Sequence, residues 1–228
     1  MRRIILGFYG LVAAFLCLAP LLLSIPIPST LEENFAALRH QGQVPNLVAT
    51  VILHTRLYDT VSEVVVFTLA SIGVRWIFQG EIPLQRVSAL QDAPSVVLCQ
   101  LGSTVCAMVA VELALRGHLS PGGGFAAGVA GGTAIGLLLM SGSAQQVDRF
   151  YTRSRADRWE KGAVLAFLLV AWLVMEGVKA GGALGSSAQF GAIASGGWIP
   201  LLNALVAIKV TLGSWAMVQL LVRYRGLF

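Results

Sequence analysis

Arg116-Gly117-His118-Leu119-Ser120-Pro121-Gly122-Gly123-Gly124-Phe125 is the stretch on which the fold turns. Apolar runs flank it, residues 93–115 and 125–141, and a membrane-crossing helix takes about 17–25 such residues. Pro121 and three consecutive glycines let the backbone reverse sharply and pack closely, where a β-carbon would obstruct it. A reversal between two membrane helices fits either a plain tight turn or a re-entrant element lining a mouth. A phosphate-binding loop does not fit. It would need Lys-Ser/Thr after the last glycine and a strand before the first, whereas Phe125-Ala126 follow and an apolar helix precedes.

Composition carries the membrane reading through the whole chain. Of 228 residues, 56% are apolar and 12% charged, against about a quarter charged in globular proteins. Mean hydropathy is +0.77. The net charge of +5 is spread over loops, which argues against nucleic-acid binding. Cys17, Cys99 and Cys106 all lie inside apolar runs, without metal-ligand spacing or a disulfide pattern.

Working outward, the sequence predicts an all-α polytopic membrane protein with about six spans: near 4–25, 58–78, 93–115, 125–141, 159–178 and 198–222. Met1-Arg2-Arg3 ahead of the first run resembles a signal peptide, but the run is too long and no small-x-small cleavage site follows. Residues 29–57 read as an external loop with short interfacial helices, and 181–197 as an external Gly/Ser/Ala-rich loop. Residues 142–158 carry Arg149, Arg153, Arg155 and Arg158. Placing them inside puts eleven Lys/Arg in the cytoplasm against four outside, with both termini cytoplasmic. The basic run also suits anionic lipid or a soluble partner. Gly128 and Gly132 form a small-xxx-small face that must pack against another helix.

Charges inside spans are costly, at about 2.5–3.5 kcal/mol for Asp, Lys or Arg at a helix centre, so each needs a reason. Asp59 either caps the second span or acts on ions. Glu63, four residues on, shares its face, and either pairs with Arg56 or belongs to a proton or cation site. Glu112 is placed to pair with Arg116, also four residues away. Glu176 falls near the outer end of the fifth span. Lys209 lies about ten residues into the last span, too deep to reach either surface, and needs a carboxylate or a water-filled cavity.

Gly117-His118-x-x-Pro121-Gly122-Gly123-Gly124-Phe125, followed by Gly128, resembles the signature of the B subunit of Mrp-type multisubunit sodium/proton antiporters, the MnhB domain. Related subunits occur in membrane-bound hydrogenases. This resemblance covers roughly residues 93–228. Arg56, Asp59, Thr60 and Glu63 resemble an Arg-x-x-Asp-Thr-x-x-Glu segment at the carboxyl end of the Mrp A subunit, or in a small separate hydrogenase subunit. His54, Thr55 and Ser62 depart from that pattern. The resemblances imply two fused pieces: a two-helix segment, 1–92, and a four-helix MnhB-like domain, 93–228. They also imply a lysine in the last span, which Lys209 supplies.

The resulting expectation is a multi-pass cell-membrane subunit of a cation (Na+)/proton antiporter, with no cofactor, no metal site and no enzymatic activity of its own. Other membrane subunits, Na+, H+ and the bilayer would be its partners. Glu63 would carry the ion, Asp59 and His118 would stand at the entrance, and Lys209 would be the charge partner. Glu112 and Glu176 would add negative potential in the outer half, and Pro121 to Phe125 would shape the mouth. Two alternatives stand beside this: a subunit of a redox-driven ion-pumping complex, and a structural scaffold. A stand-alone enzyme lacks support, since no nucleophile–base pair or metal spacing occurs.

Overall fold

The computed structural model describes residues 31–84, 87, 89–178 and 189–226. The first expected span and the first part of the 181–197 loop lie outside them. Residues 37–228 form one compact unit, while 31–36 belong to an amino-terminal one. Among the described residues the regular structure is entirely helical: α1 (Leu31–Gly42), α2 (Leu47–Thr50), α3 (Leu57–Ile77), α4 (Ala93–Arg116), α5 (Gly124–Leu138), α6 (Ala144–Ser154), α7 (Ala156–Met175) and α8 (Ile199–Arg225). π-helical turns extend α2 through Val51–Thr55 and α5 through Leu139–Ser143.

Local chemistry sets the boundaries. Asn46 caps α2, its Oδ1 accepting from the amides of Val48 (3.1 Å) and Ala49 (3.3 Å). Asp92 does the same for α4, accepting from Ser95 at 3.1 Å, with Pro94 in the first turn. Gly123, at φ +105°, opens α5 in a conformation that a side chain would strain. Gly142 (φ +86°) and Arg155 (φ +53°) bracket α6 and redirect the chain on either side of it.

Among the described residues, four helices are long and apolar enough to cross a membrane: Leu57–Ile77, Ala93–Arg116, Gly124–Gly142 and Ile199–Arg225. The chain is therefore a multi-pass membrane protein. The expected fifth span is helical as α7 but differs in character. Asp157, Arg158, Glu160 and Lys161 occupy four of its first six positions, and only Gly162 to Met175 is continuously apolar.

Helix α8 is the hub. It packs against α5, α7, α3 and α4, and its buried residues run from Ile199 to Val222. One core cluster joins Leu53, Leu57 and Val64 to Phe167, Ala171, Leu202, Val206 and Val210. A second, at the opposite end, gathers Leu139, Val147, Ala156, Trp215 and Val222. The small face of α5 meets α8 directly. A β-carbon on Gly128 would collide with Val210, one on Gly124 with the Asn203 carbonyl at 2.5 Å, and one on Gly132 with Ser214 at 2.6 Å. By contrast α4 and the outer side of α3 leave Val66, Leu69, Trp76, Leu98, Leu101 and Met108 exposed, as lipid-facing surfaces do.

Candidate functional site

A chain of ion pairs runs from inside the bundle to its basic end. Lys209 of α8 is fully buried, and its Nζ donates to Glu160 Oε1 of α7 at 2.6 Å. The other oxygen of Glu160 accepts from Arg75 of α3 at 3.0 Å. Arg75 also donates to Asp157 Oδ1 at 2.6 Å, and Lys161 donates to Asp157 Oδ2 at 2.7 Å. Side-chain exposure rises along this chain: 1% at Lys209, 7% at Glu160, 35% at Arg75 and 67% at Lys161. Burying charge is tolerable only where it is paired and hydrogen-bonded, and here both oxygens of Glu160 are engaged.

The surroundings fit that purpose. The Phe67 ring lies 5.1 Å from Lys209 Nζ and presents its electron-rich face to the ammonium. Gly213 leaves the space, since a β-carbon there would stand 2.6 Å from Phe67 and 3.2 Å from both Glu160 Oε1 and Lys209 Nζ. Beyond Arg75 the chain opens into a cavity of about 390 Å³ lined by Arg75, Asp148, Tyr151, Asp157, Gln219 and Arg223. Lys161 and Arg75 hold the Asp157 carboxyl below the usual carboxylate range. Such an array can hold a charge in the bundle and exchange it stepwise toward one side.

Two asparagines build the opposite end. Asn203 Nδ2 donates to the Leu113 (3.2 Å) and Ala114 (2.7 Å) carbonyls, closing the last turn of α4. Asn46 Nδ2 donates to the carbonyls of Gly117 (2.7 Å) and Ser120 (2.8 Å), and its amide donates to the His118 carbonyl at 3.2 Å. Gly117 is indispensable there, because a β-carbon would lie 2.6 Å from Asn203 Nδ2 and 2.7 Å from the Leu113 carbonyl. His118 is wholly buried, and neither ring nitrogen has a hydrogen-bond partner among the described residues. Burial pushes its pKa down, partly opposed by the nearby backbone of Ala192 and Ile193.

The residues expected from sequence fall in separate places. Asp59 pairs with Arg56 at 2.5 Å and caps nothing; it sits in the first turn of α3, past the capping position. Glu63 is exposed and has no partner among the described residues, so the pairing with Arg56 is not formed. Glu112 pairs with Arg116 at 2.9 Å on the exposed side of α4. Glu176 ends α7, exposed. Pro121 and Gly122 are exposed, Gly123 and Gly124 are buried, and Phe125 packs onto the core cluster that contains Leu202 and Val206. Of the expected set only Lys209 joins the ion-pair chain, and the others are not gathered around one point. Glu160, Arg75, Asp157 and Lys161 were not singled out from sequence. A signal did exist for Glu160: it lies on the stripe Ala156, Glu160, Ala163, Phe167, Ala171, every member of which is buried. Among the described residues no cluster of three or more His, Cys, Asp or Glu is placed to hold a metal ion.

Comparison with known proteins follows the same lines. The family model described as "Domain related to MnhB subunit of Na+/H+ antiporter" matches residues 94–216. No curated protein matches the sequence. Among solved structures, a chain of the membrane-bound sulfane sulfur reductase, an archaeal respiratory membrane complex, shares the fold with a TM-score of 0.69. That match has 20% identity and covers 98% of this chain and 99% of that one.

Proposed function

The chain belongs to the family of domains related to the MnhB subunit of Na+/H+ antiporters, and from that premise we propose that it serves as a membrane subunit of a multisubunit cation/proton antiporter. The observation that carries this reading is the buried Lys209–Glu160 pair, continued by Arg75 and Asp157 to the cavity at the basic end. A purely structural helix bundle gains little from such a pair, since apolar residues of similar volume serve stability as well or better. Glu160 and Lys209 are the charge-transfer groups, and Asp157 and Arg75 link them to the inner side. Glu63 carries the ion at a boundary with a neighbouring subunit, because its carboxylate faces away from this chain. Asp59, Glu112 and Glu176 belong to the outer side, where negative groups raise the local concentration of Na+ or H+, with His118 at the entrance.

The test is cation/proton exchange by everted membrane vesicles containing the whole complex, with subunit assembly monitored in parallel. Glu160→Gln and Lys209→Met should abolish exchange while the complex stays assembled. Full exchange in both variants would sink the proposal and leave a scaffold. A second reading has one observation in its favour: the shared fold with a chain of a respiratory membrane complex. Under it the same residues serve a pump driven by electron transfer, and redox subunits would co-purify with the chain.

A further inference from the structure

The basic end carries more positive charge than the chain itself neutralises. Its acidic residues are already engaged: Glu81 with Arg225 at 2.8 Å, Asp157 with Arg75 and Lys161, Asp148 with Gln219, and Asp92 with the amide of Ser95. Arg149, Arg153, Arg155 and Arg158 are all exposed and have no acidic partner among the described residues.

Their setting is specific. Helix α6 follows the membrane-crossing α5 and precedes the apolar part of α7, so it lies at the level where spans leave the bilayer. Its inner side is fixed: Val147 is buried, and Tyr151 meets Trp215 edge-on at 5.0 Å. Arg149 and Arg153 stand four residues apart, on one outer face. Arg155, in the left-handed conformation, and Arg158 continue the basic surface across the α6–α7 junction. Two large aromatic side chains flank the arginines. Phe150 is 63% exposed although its ring stacks on Trp215, and Trp159 is 68% exposed. Aromatic rings that are left uncovered beside unpaired arginines match the headgroup layer, where the ring enters the acyl boundary and the guanidinium meets phosphate.

We propose that Arg149, Arg153, Arg155 and Arg158, with Phe150 and Trp159, form a binding surface for anionic phospholipid headgroups. Guanidinium groups form paired hydrogen bonds to phosphate oxygens, and an anionic membrane surface attracts each such residue electrostatically. This surface is separate from the Lys209–Glu160 pair and does not depend on what the complex transports.

The experiment is thermal unfolding of the detergent-purified complex with added phosphatidylglycerol or phosphatidylcholine, at low and high salt, with retained lipid counted by native mass spectrometry. Phosphatidylglycerol should raise the unfolding temperature and phosphatidylcholine should not. The rise should shrink as salt screens the charges. The R149Q/R153Q/R155Q/R158Q variant should lose the lipid-dependent rise and retain fewer phosphatidylglycerol molecules. At about fivefold in affinity per arginine, R149Q/R153Q alone should weaken binding about 25-fold, which keeps the test decisive if the fourfold variant does not assemble. An equal phosphatidylglycerol effect in the variants would overturn the proposal. So would loss of an acidic soluble subunit from the variant complex with lipid retention unchanged, and so would an equal effect of inorganic phosphate alone.

Discussion

Removing the charge of Glu160 tests whether the bundle holds a true ion pair. In Glu160→Gln the Lys209 ammonium, 1% exposed, loses its carboxylate while Arg75 keeps Asp157. Leaving one partner of a buried pair uncompensated costs about 3–5 kcal/mol. At about 2–4 °C per kcal/mol for a chain of this size, the unfolding temperature should fall by roughly 6–20 °C. Adding Lys209→Met removes the uncompensated ammonium and should restore much of the loss. Differential scanning fluorimetry of the purified complex reads both. A variant as stable as the parent, or a deficit that Lys209→Met leaves unchanged, would refute the buried pair.

The remaining expectations concern the glycine face, the asparagines and the histidine. Gly128→Leu forces side-chain carbons into Val210 and should cost at least about 1–3 kcal/mol, seen as loss of assembled complex in a native gel. Gly136→Ala on the same helix, where a β-carbon meets nothing within 4 Å, should be silent by the same gel. Asn203→Ala strips partners from the Leu113 and Ala114 carbonyls and should cost about 1–3 kcal/mol, measured as a drop in unfolding temperature. His118 has a folded-state pKa below its unfolded value, so its neutral form favours the fold. Stability from this group is full above about pH 6.5 and is lost as pH falls from there toward the folded pKa. The unfolding temperature should therefore decline below about pH 6.5, and His118→Gln should flatten that decline.

The helical class and the main spans were legible because apolar runs near residues 93–115 and 125–141 are long and interrupted by Pro121 and three glycines. The glycine face of α5 was legible too, and α8 proves to be the helix it meets. The need of Lys209 for a counter-charge followed from its depth alone. Its partner did not, because Glu160 sits among Asp157, Arg158 and Lys161, where a carboxylate reads as an ordinary surface charge. Only the packing of α7 on α8 shows that residue 160 faces inward while residues 158, 159 and 161 face out. The same limit applies to Asn46 and Asn203, whose carbonyl partners lie 71 to 90 residues away in the chain. Pairings between distant helices leave no trace in hydropathy.

Arg75 lies ahead of the matched domain, which begins at residue 94, whereas Glu160 and Asp157 lie within it. Carried on two polypeptides, these groups would have to find each other by association at whatever abundance each chain reached. Here the link through residues 78–92 makes the encounter intramolecular, at an effective concentration set by a tether of fifteen residues. Production of the guanidinium and of its two carboxylates is thereby locked at one to one.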